Sequence, residues 1–475
     1  MIVMKFGGSS LESGTSIRRV TDIVKSYMDA APVVVVSAMG KTTNQLLEIA
    51  ADAGMGRSYA AWQGLKDLWE YHSDVAAEVA SGEVLERLER SIRRHFDSLR
   101  DIVFHVADDC VELTPALKDE IMSFGERLSS EVVTAALSCA GIPAAHLDSR
   151  QVILTNDHHT HAVPQLWETY AKLRRVVPQL AKTRTVVMGG FIGATESGAT
   201  TTLGRGGSDL TASVVGAGIS AEEIQIWTDV DGMLTCDPRI LNGGYRLRNI
   251  SYQEAIEMAQ AGAKVLHPDT VAPAIRQRIP ITIRNSRRPH VEGTRITAGA
   301  GECGNPVKSI ACRPDVTVLE IRSRSDLPDS LDGAELVAKN GDAVYLAVKS
   351  SELRENLRMK MDTCSEVRLH AERAVLTLTG EGIPAVPDLA SRVLGVLKNS
   401  EAFIVRDDGS RLSLTVMIPQ RLLRRCMESL HNEFFRQVDP AVFAAVAREE
   451  EIAHKQVEIA QEQRRPKTRP VLALV

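Results

Sequence analysis

Residues 188–209 read MGGFIGATESGATTTLGRGGSD, with seven glycines, four threonines, one arginine and one aspartate. An apolar run, Val186-Val187-Met188, leads in, and an apolar helical pattern over 210–215 leads out. Glycines let backbone N–H groups come close to an anion and permit turns with positive φ. A helix beginning at Ser208-Asp209 presents free N–H groups and a positive dipole end to that anion. The competing reading is a flexible linker, which is disfavoured because linkers seldom sit between two buried elements. The stretch has no G-x-x-x-x-G-K-[ST] motif, and G-x-G-x-x-Asp at 204–209 is not the dinucleotide fingerprint. The rest of any phosphate site must therefore come from elsewhere in the chain.

Several elements converge on such a site. Residues 1–6 read as a short buried strand ending in the turn Lys5-Phe-Gly-Gly-Ser-Ser10. A lysine there can touch a phosphate while the glycine amides hold it; taken alone, a surface lysine near a turn is the simpler reading. Val33 to Val36 is a continuous apolar run, the mark of a strand covered on both faces. It leads into Ser37-Ala-Met-Gly-Lys-Thr-Thr-Asn44, where Ser37, Thr43 and Asn44 are candidate ligand contacts, and Thr43 or Asn44 also suits an N-cap. Residues 57–119 are helical and polar, without an evident site. A clearer helix over 119–140 carries Ser123-Phe-Gly-Glu-Arg-Leu-Ser129. Gly125 inside it predicts a close approach, since glycine costs about 1 kcal/mol in a helix interior. Glu126 faces that partner or else forms a solvated pair with Arg127. Further strands fall at 185–191, 224–228 and 280–285, with an acidic loop, Thr228-Asp-Val-Asp-Gly-Met-Leu-Thr-Cys-Asp-Pro-Arg239, between the last two. Ser251-Tyr-Gln-Glu254 is a capping box, and Lys264 lies near the end of its helix. Strands alternating with helices predict a largely parallel sheet sandwiched by helices.

After about residue 298 the character changes. Residues 299–306 are turn-rich. Strands follow at 316–321 and 343–348, a helix at 351–361, and then a strand, helix, hairpin and helix over 374–435. That β-α-β-β-α order predicts a ferredoxin-like module. Residues 441–475 predict a charged helix fraying into a tail.

A chain of 475 residues exceeds one ordinary core. A net charge of −5 argues against nucleic-acid binding through overall basicity. Seven scattered cysteines with no C-x-x-C argue against a zinc site or redox pair and fit reduced thiols in a cytoplasmic protein. No basic-then-apolar leader and no apolar run of about 18 residues is present, so neither a signal peptide nor a membrane span is expected.

Taken together, KFGGSS at 5–10, VVSAMGKTTN at 35–44, FGERLS at 124–129, GFIGATESGATTTLGRGGSD at 190–209, WTDVDGMLTCDPR at 227–239 and GAKVLHP at 262–268 resemble the aspartate kinases of the amino acid kinase family. The second region resembles the paired ACT regulatory modules of such kinases. The resemblance implies an α/β fold: an amino acid kinase-like three-layer αβα sandwich with a mainly parallel sheet over 1–298, including a helical excursion at 51–118. Ferredoxin-like (ACT) α+β modules follow over 299–440. It implies phosphorylation of the side-chain carboxylate of L-aspartate by ATP with Mg2+, the first step toward lysine, threonine and methionine. A carboxylate is already nucleophilic at neutral pH, so the chemistry needs charge neutralisation and alignment.

By the family pattern, Lys5 stabilises the transferring group, Asp209 positions the active-site lysines, and Lys264 contacts nucleotide phosphate. Gly7, Gly8 and Ser9 hold phosphates. Ser37, Thr43, Glu126, Arg205 and Ser208 bind aspartate, Glu126 taking its ammonium and Arg205 a carboxylate in bidentate fashion. Thr228, Asp229 and Arg239 contact ATP. The magnesium ligands are not legible. ACT modules imply a homodimer or higher homo-oligomer.

Some residues depart from the pattern. Asp231 stands where the family sometimes has proline, and Leu234 where it often has tyrosine. Residues 322–332 give no helical stripe, so the first ACT module reads as degenerate, and the turn at 405–410 does not match the usual effector-contacting sequence. Weak feedback control, as in a kinase dedicated to one branch such as ectoine synthesis, is the corresponding expectation. Two alternatives remain: a kinase for another small carboxylate, and an inactive amino-acid sensor working through its ACT modules.

Overall fold

The first region runs β1 (Ile2–Phe6), α1 (Gly14–Lys25), β2 (Pro32–Val36), α2 (Thr42–Gly54), α3 (Ser58–Val79), α4 (Gly82–Asp108), α5 (Pro115–Cys139), β3 (Ala144–His146), α6 (Leu166–Ala181), β4 (Thr185–Gly189), β5 (Ile192–Ala194), β6 (Thr200–Thr202), α7 (Gly207–Ile219), β7 (Glu223–Thr228), β8 (Tyr245–Leu247), β9 (Asn249–Ser251), α8 (Tyr252–Gln260), α9 (Pro268–Arg276), β10 (Ile281–Asn285) and β11 (Thr294–Thr297). The computed structural model describes residues 1–108, 111–263, 268–299, 301, 304–322, 334–340, 343–350, 366–405 and 411–446.

The continuous apolar runs become strands buried along their whole length: β1, β2 and β4 expose no residue. They lie within an eight-stranded sheet of order β3-β4-β2-β1-β7-β10-β11-β9. Every neighbouring pair is parallel except β10 and β11. Side-chain alternation then assigns two cores. Ile2, Met4, Phe6, Val34, Val36, Val187 and Trp227 pack with α1 to α5, whereas Val3, Val33, Val35, Val186, Met188, Ile224 and Ile226 pack with α6 to α9. The polar helical stretch after residue 57 packs on the sheet: Leu65, Leu68, Leu88, Ile92 and Leu99 of α3 and α4 join the first of these cores. The chain leaves β1 for β2 on one side and later returns to β7 on the other. Loops after β1, β2, β4 and β7 therefore gather at one edge, where open α/β sheets place their sites.

The second region is one six-stranded antiparallel sheet of order β13-β14-β12-β15-β17-β16, built from β12 (Ser309–Arg322), β13 (Ala334–Asn340), β14 (Ala343–Lys349), β15 (Glu366–Thr379), β16 (Phe403–Val405) and β17 (Ser413–Pro419). Helices Leu389–Val396 and Leu423–Phe434 complete the β-α-β-β-α order expected for an ACT-like module. β12 and β15 are far longer than the sequence suggested, each 14 residues: they pair with each other along their length through register shifts between Arg313 and Val318, with β14 flanking one end and β17 the other. β13 was not foreseen. The expected helix at 351–361, and most of 322–332 and 405–410, lie outside the described residues.

The expected charged tail is corrected at its start. Phe443–Ala445 is a strand, β18, pairing antiparallel with β8 of the first region. Phe443 is buried and stacks edge-on with Tyr245 and Phe435. This aromatic anchoring outweighs the helical charge pattern that follows. Among the described residues no helix is long and apolar enough to cross a membrane.

Candidate active site

Lys5 is the penultimate residue of β1 and only 9% exposed, which overturns the reading of a surface lysine. On the alternating strand it points toward α7. Its Nζ lies 2.7 Å from Asp209 Oδ1 in the first turn of that helix. The following Gly7-Gly8 turn docks on the loop after β2: Gly40 N donates to Gly8 O at 3.1 Å. A Cβ at Gly8 would lie 2.9 Å from Ala38 O and 3.0 Å from Gly40 O, so only glycine lets the two loops touch. Ser9 and Ser37 are half-buried, and Ser37 N donates to Phe6 O. The N-cap reading of Thr43 or Asn44 fails, because α2 begins at Thr42 with Lys41 at its cap and no side-chain cap bond. Thr43 sits half-buried in the first helical turn.

Gly125 does mark a close approach. A Cβ there would lie 2.8 Å from Ala38 Cβ, so α5 packs directly on the loop after β2. Its neighbour Glu126 is 3% exposed and not a solvated partner of Arg127. Arg127 instead donates to Glu120 at 3.0 Å and lies over the Phe124 ring. Glu126 Oε1 accepts from Ala38 N at 3.1 Å, while Oε2 is buried with no hydrogen-bond partner. Burial pushes this carboxyl up to about 8; the Ala38 N–H and the nearby Lys5 charge pull it down less strongly. A buried carboxylate oxygen without a donor is costly, and a cation arriving there relieves the cost.

The 188–209 stretch is not a linker. Its first two glycines after Met188 pack closely on Glu126 and Ser208. A Cβ at Gly189 would lie 3.0 Å from Glu126 Cβ, and one at Gly190 would lie 2.6 Å from Ser208 Cβ. Phe191 follows with φ +62, a conformation held by Thr211 Oγ1, which accepts from Phe191 N, and by Leu203 N, which donates to Phe191 O. β5 and β6 then form an antiparallel hairpin, both strands buried. Gly204 and Gly206, with φ +72 and +71, carry the chain through a tight turn into α7. Arg205 between them is exposed and makes no hydrogen bond or ion pair with described residues, whereas Ser208 is buried.

The proposed nucleotide loop is only partly gathered. Thr228 ends β7, and its hydroxyl donates to Asp229 Oδ1 at 3.1 Å. Arg239 is held by Asp237 at 2.6 Å and is largely exposed. No contact among the described residues joins Arg239 to Lys5, and Lys264 lies outside them. Asp231, one of the departures, is buried. It accepts from Asn285 Nδ2 at 2.7 Å and pairs with Arg288, tying the loop to the end of β10. No group of three or more His, Cys, Asp or Glu among the described residues could hold a metal ion.

Sequence reasoning passed over Asp119, a fully buried acid two helical turns before Glu126, although a spacing of seven places both on one helix face. It also passed over Lys308. The Ser251–Glu254 capping box forms as read, but Glu254 additionally pairs with buried Lys308 at 2.9 Å and accepts from Glu381 N at 2.9 Å. This contact joins α8 to the Thr379-Gly-Glu-Gly382 loop of the second region.

Residues 1–285 match the amino acid kinase family. Aspartokinase 2, chloroplastic, of Arabidopsis thaliana is 31% identical over 474 residues, covering 92% of this chain and 85% of that protein. Lysine-sensitive aspartokinase 3 of Escherichia coli is 29% identical, covering 92% and 99%. The crystal structure of E. coli aspartokinase III in complex with aspartate and ADP is similar to this fold with a TM-score of 0.76 and 27% identity, covering 92% of this chain and all of that one. The chain therefore belongs to the amino acid kinase family, as a member of its aspartate kinase group.

Proposed function

We propose that this chain transfers the γ-phosphoryl group of ATP to the side-chain carboxylate of L-aspartate, giving 4-phospho-L-aspartate. The observation that carries this reading is Glu126, whose buried Oε2 has no partner. It is a seat for an ammonium group in a site whose other charged groups include Lys5, Asp209 and Arg205. Arg205, on its glycine-flanked turn, takes a substrate carboxylate in bidentate fashion, with Ser208 donating beside it. Ser37 and Thr43 bind aspartate as well. Lys5, oriented by Asp209, faces the group in transfer, where charge builds most in the transition state. The amides of Gly7, Gly8 and Ser9 hold phosphate. Thr228, Asp229, Arg239 and Lys264 contact the nucleotide. Magnesium would accompany ATP; the described residues offer it no carboxylate cluster, so phosphate oxygens and waters would be its main ligands.

The retained Lys5–Asp209 pair favours a working kinase over an inactive sensor. The same proposal includes a homodimer built on the ACT-like sheet, weak feedback control, and service to a single product branch. Sedimentation, and inhibition curves with lysine and threonine, test those parts.

The activity is tested by ATP turnover with the acyl phosphate trapped as a hydroxamate. L-Aspartate gives product; glutamate and N-acetylglutamate do not. Product from another acid but not from aspartate would refute the reading.

A further inference from the structure

Asp119 is fully buried in α5, and among the described residues its side chain's hydrogen bonds all reach toward the turn that carries Arg205. Thr160 N donates to both of its oxygens at 3.0 Å. His159 Nδ1 lies 2.8 Å from Oδ2, and Thr202 Oγ1 donates to Oδ1. Thr202 is the last residue of β6, and Thr202 O accepts from Ala162 N at 2.9 Å. Gly204 then packs on the same loop: a Cβ there would lie 2.6 Å from His161 Nδ1 and 3.2 Å from Thr160 O. The 158–162 loop, the end of β6 and Gly204 thus form one packed unit hung from one carboxylate. The turn carrying Arg205 and Ser208 begins at that unit.

Glu126 hangs from the same helix, two turns on. Seven residues of helix span about 10 Å and do not stretch. We propose that Asp119 is a positioning residue for the amino-acid substrate. It fixes the Arg205 turn at a set distance from Glu126, so that α5 acts as a ruler for the separation of the substrate's ammonium and carboxylate groups. This rests on the aspartate reading above. A buried carboxylate accepting several bonds suits the task, because charge-assisted bonds resist displacement better than neutral ones.

The test is steady-state kinetics on the full chain with Thr202→Val, Thr202→Ser and Asp119→Asn. Thr202→Val removes one hydroxyl but keeps the shape, and Thr202→Ser keeps the hydroxyl. The expected result is a rise of about tenfold in the KM for L-aspartate in Thr202→Val. The KM for ATP stays within about twofold, Thr202→Ser stays near the unaltered chain, and Asp119→Asn shows a larger rise. A merely structural hydroxyl would not split the two KM values. Unchanged aspartate KM in an active Thr202→Val, or equal loss toward both substrates, overturns the inference. If Asp119→Asn fails to fold, the two Thr202 variants decide alone. Absence of aspartyl hydroxamate from the unaltered chain would instead sink the substrate reading and this inference with it.

Discussion

Lys5 Nζ lies 2.7 Å from Asp209 Oδ1, a largely buried ion pair joining the end of β1 to the first turn of α7. The pair fixes where a positive charge stands at the sheet edge before any substrate arrives. Preorganised charge of this kind acts chiefly on the transition state. Lys5→Ala is therefore expected to lower kcat by about a hundredfold or more, with the aspartate KM within about threefold. Steady-state rates check this, and a large KM rise with kcat intact would contradict it.

The Glu126 carboxyl is pushed up to about 8 by burial. The folded chain holds that proton more tightly than the unfolded one. The stabilising contribution is fully present below the ordinary value of 4.5 and is lost as pH rises through about 8. An ammonium needs the ionised form, so aspartate bound at Glu126 as proposed would release the proton. The KM for aspartate should fall by up to about tenfold per unit as pH rises toward 8 and then level off. Glu126→Gln should raise KM and remove that slope; a slope that persists in the variant would exclude Glu126 as its source.

Gly190 has Ser208 where a side chain would go, with Ser208 Cα 2.7 Å from a Cβ built there. Gly190→Ala must push the start of α7 away and move Asp209 and Ser208 together. A displacement of about 1 Å at a positioned group can cost about a hundredfold in rate. The expected outcome is that loss in kcat/KM with the folded state retained by circular dichroism. Near-normal kinetics would show that α7 tolerates the shift.

Lys308 and Glu254 are both almost wholly buried, 2.9 Å apart, between the two regions. Lys308→Met leaves Glu254 charged and short of its cation, which costs about 3 kcal/mol. The midpoint of denaturant unfolding reports it. Lys308→Met combined with Glu254→Gln should recover part of the loss, since the stranded charge is then gone.

Much of this was legible in the residues, for physical reasons. Val33 to Val36 could only be a strand covered on both faces, and Gly125 could only mark a contact, here with Ala38. Four of the six motifs, at 5–10, 35–44, 190–209 and 227–239, run through the ends of parallel strands at one sheet edge, and FGERLS lies within α5 where that helix packs on the loop after β2. Other features depend on contacts between residues far apart in sequence. Lys308 looks like any lysine until Glu254 is placed beside it, and Asp119 looks like a surface acid at a helix start until Thr160 and Thr202 converge on it. β18 was misread because three residues, Phe443–Ala445, hold too little periodicity to outweigh the charges that follow, whereas pairing with β8 decides their state.

The proposed role of the buried Glu126 carboxylate on α5 is to seat the ammonium of an acid whose far carboxylate is phosphorylated. It is tested most directly by comparing hydroxamate formation from L-aspartate and from succinate, which differs by lacking that ammonium. The account predicts ready product from aspartate and at least about a hundredfold less from succinate at equal concentration. Equal rates with the two acids, or product from succinate alone, would contradict it.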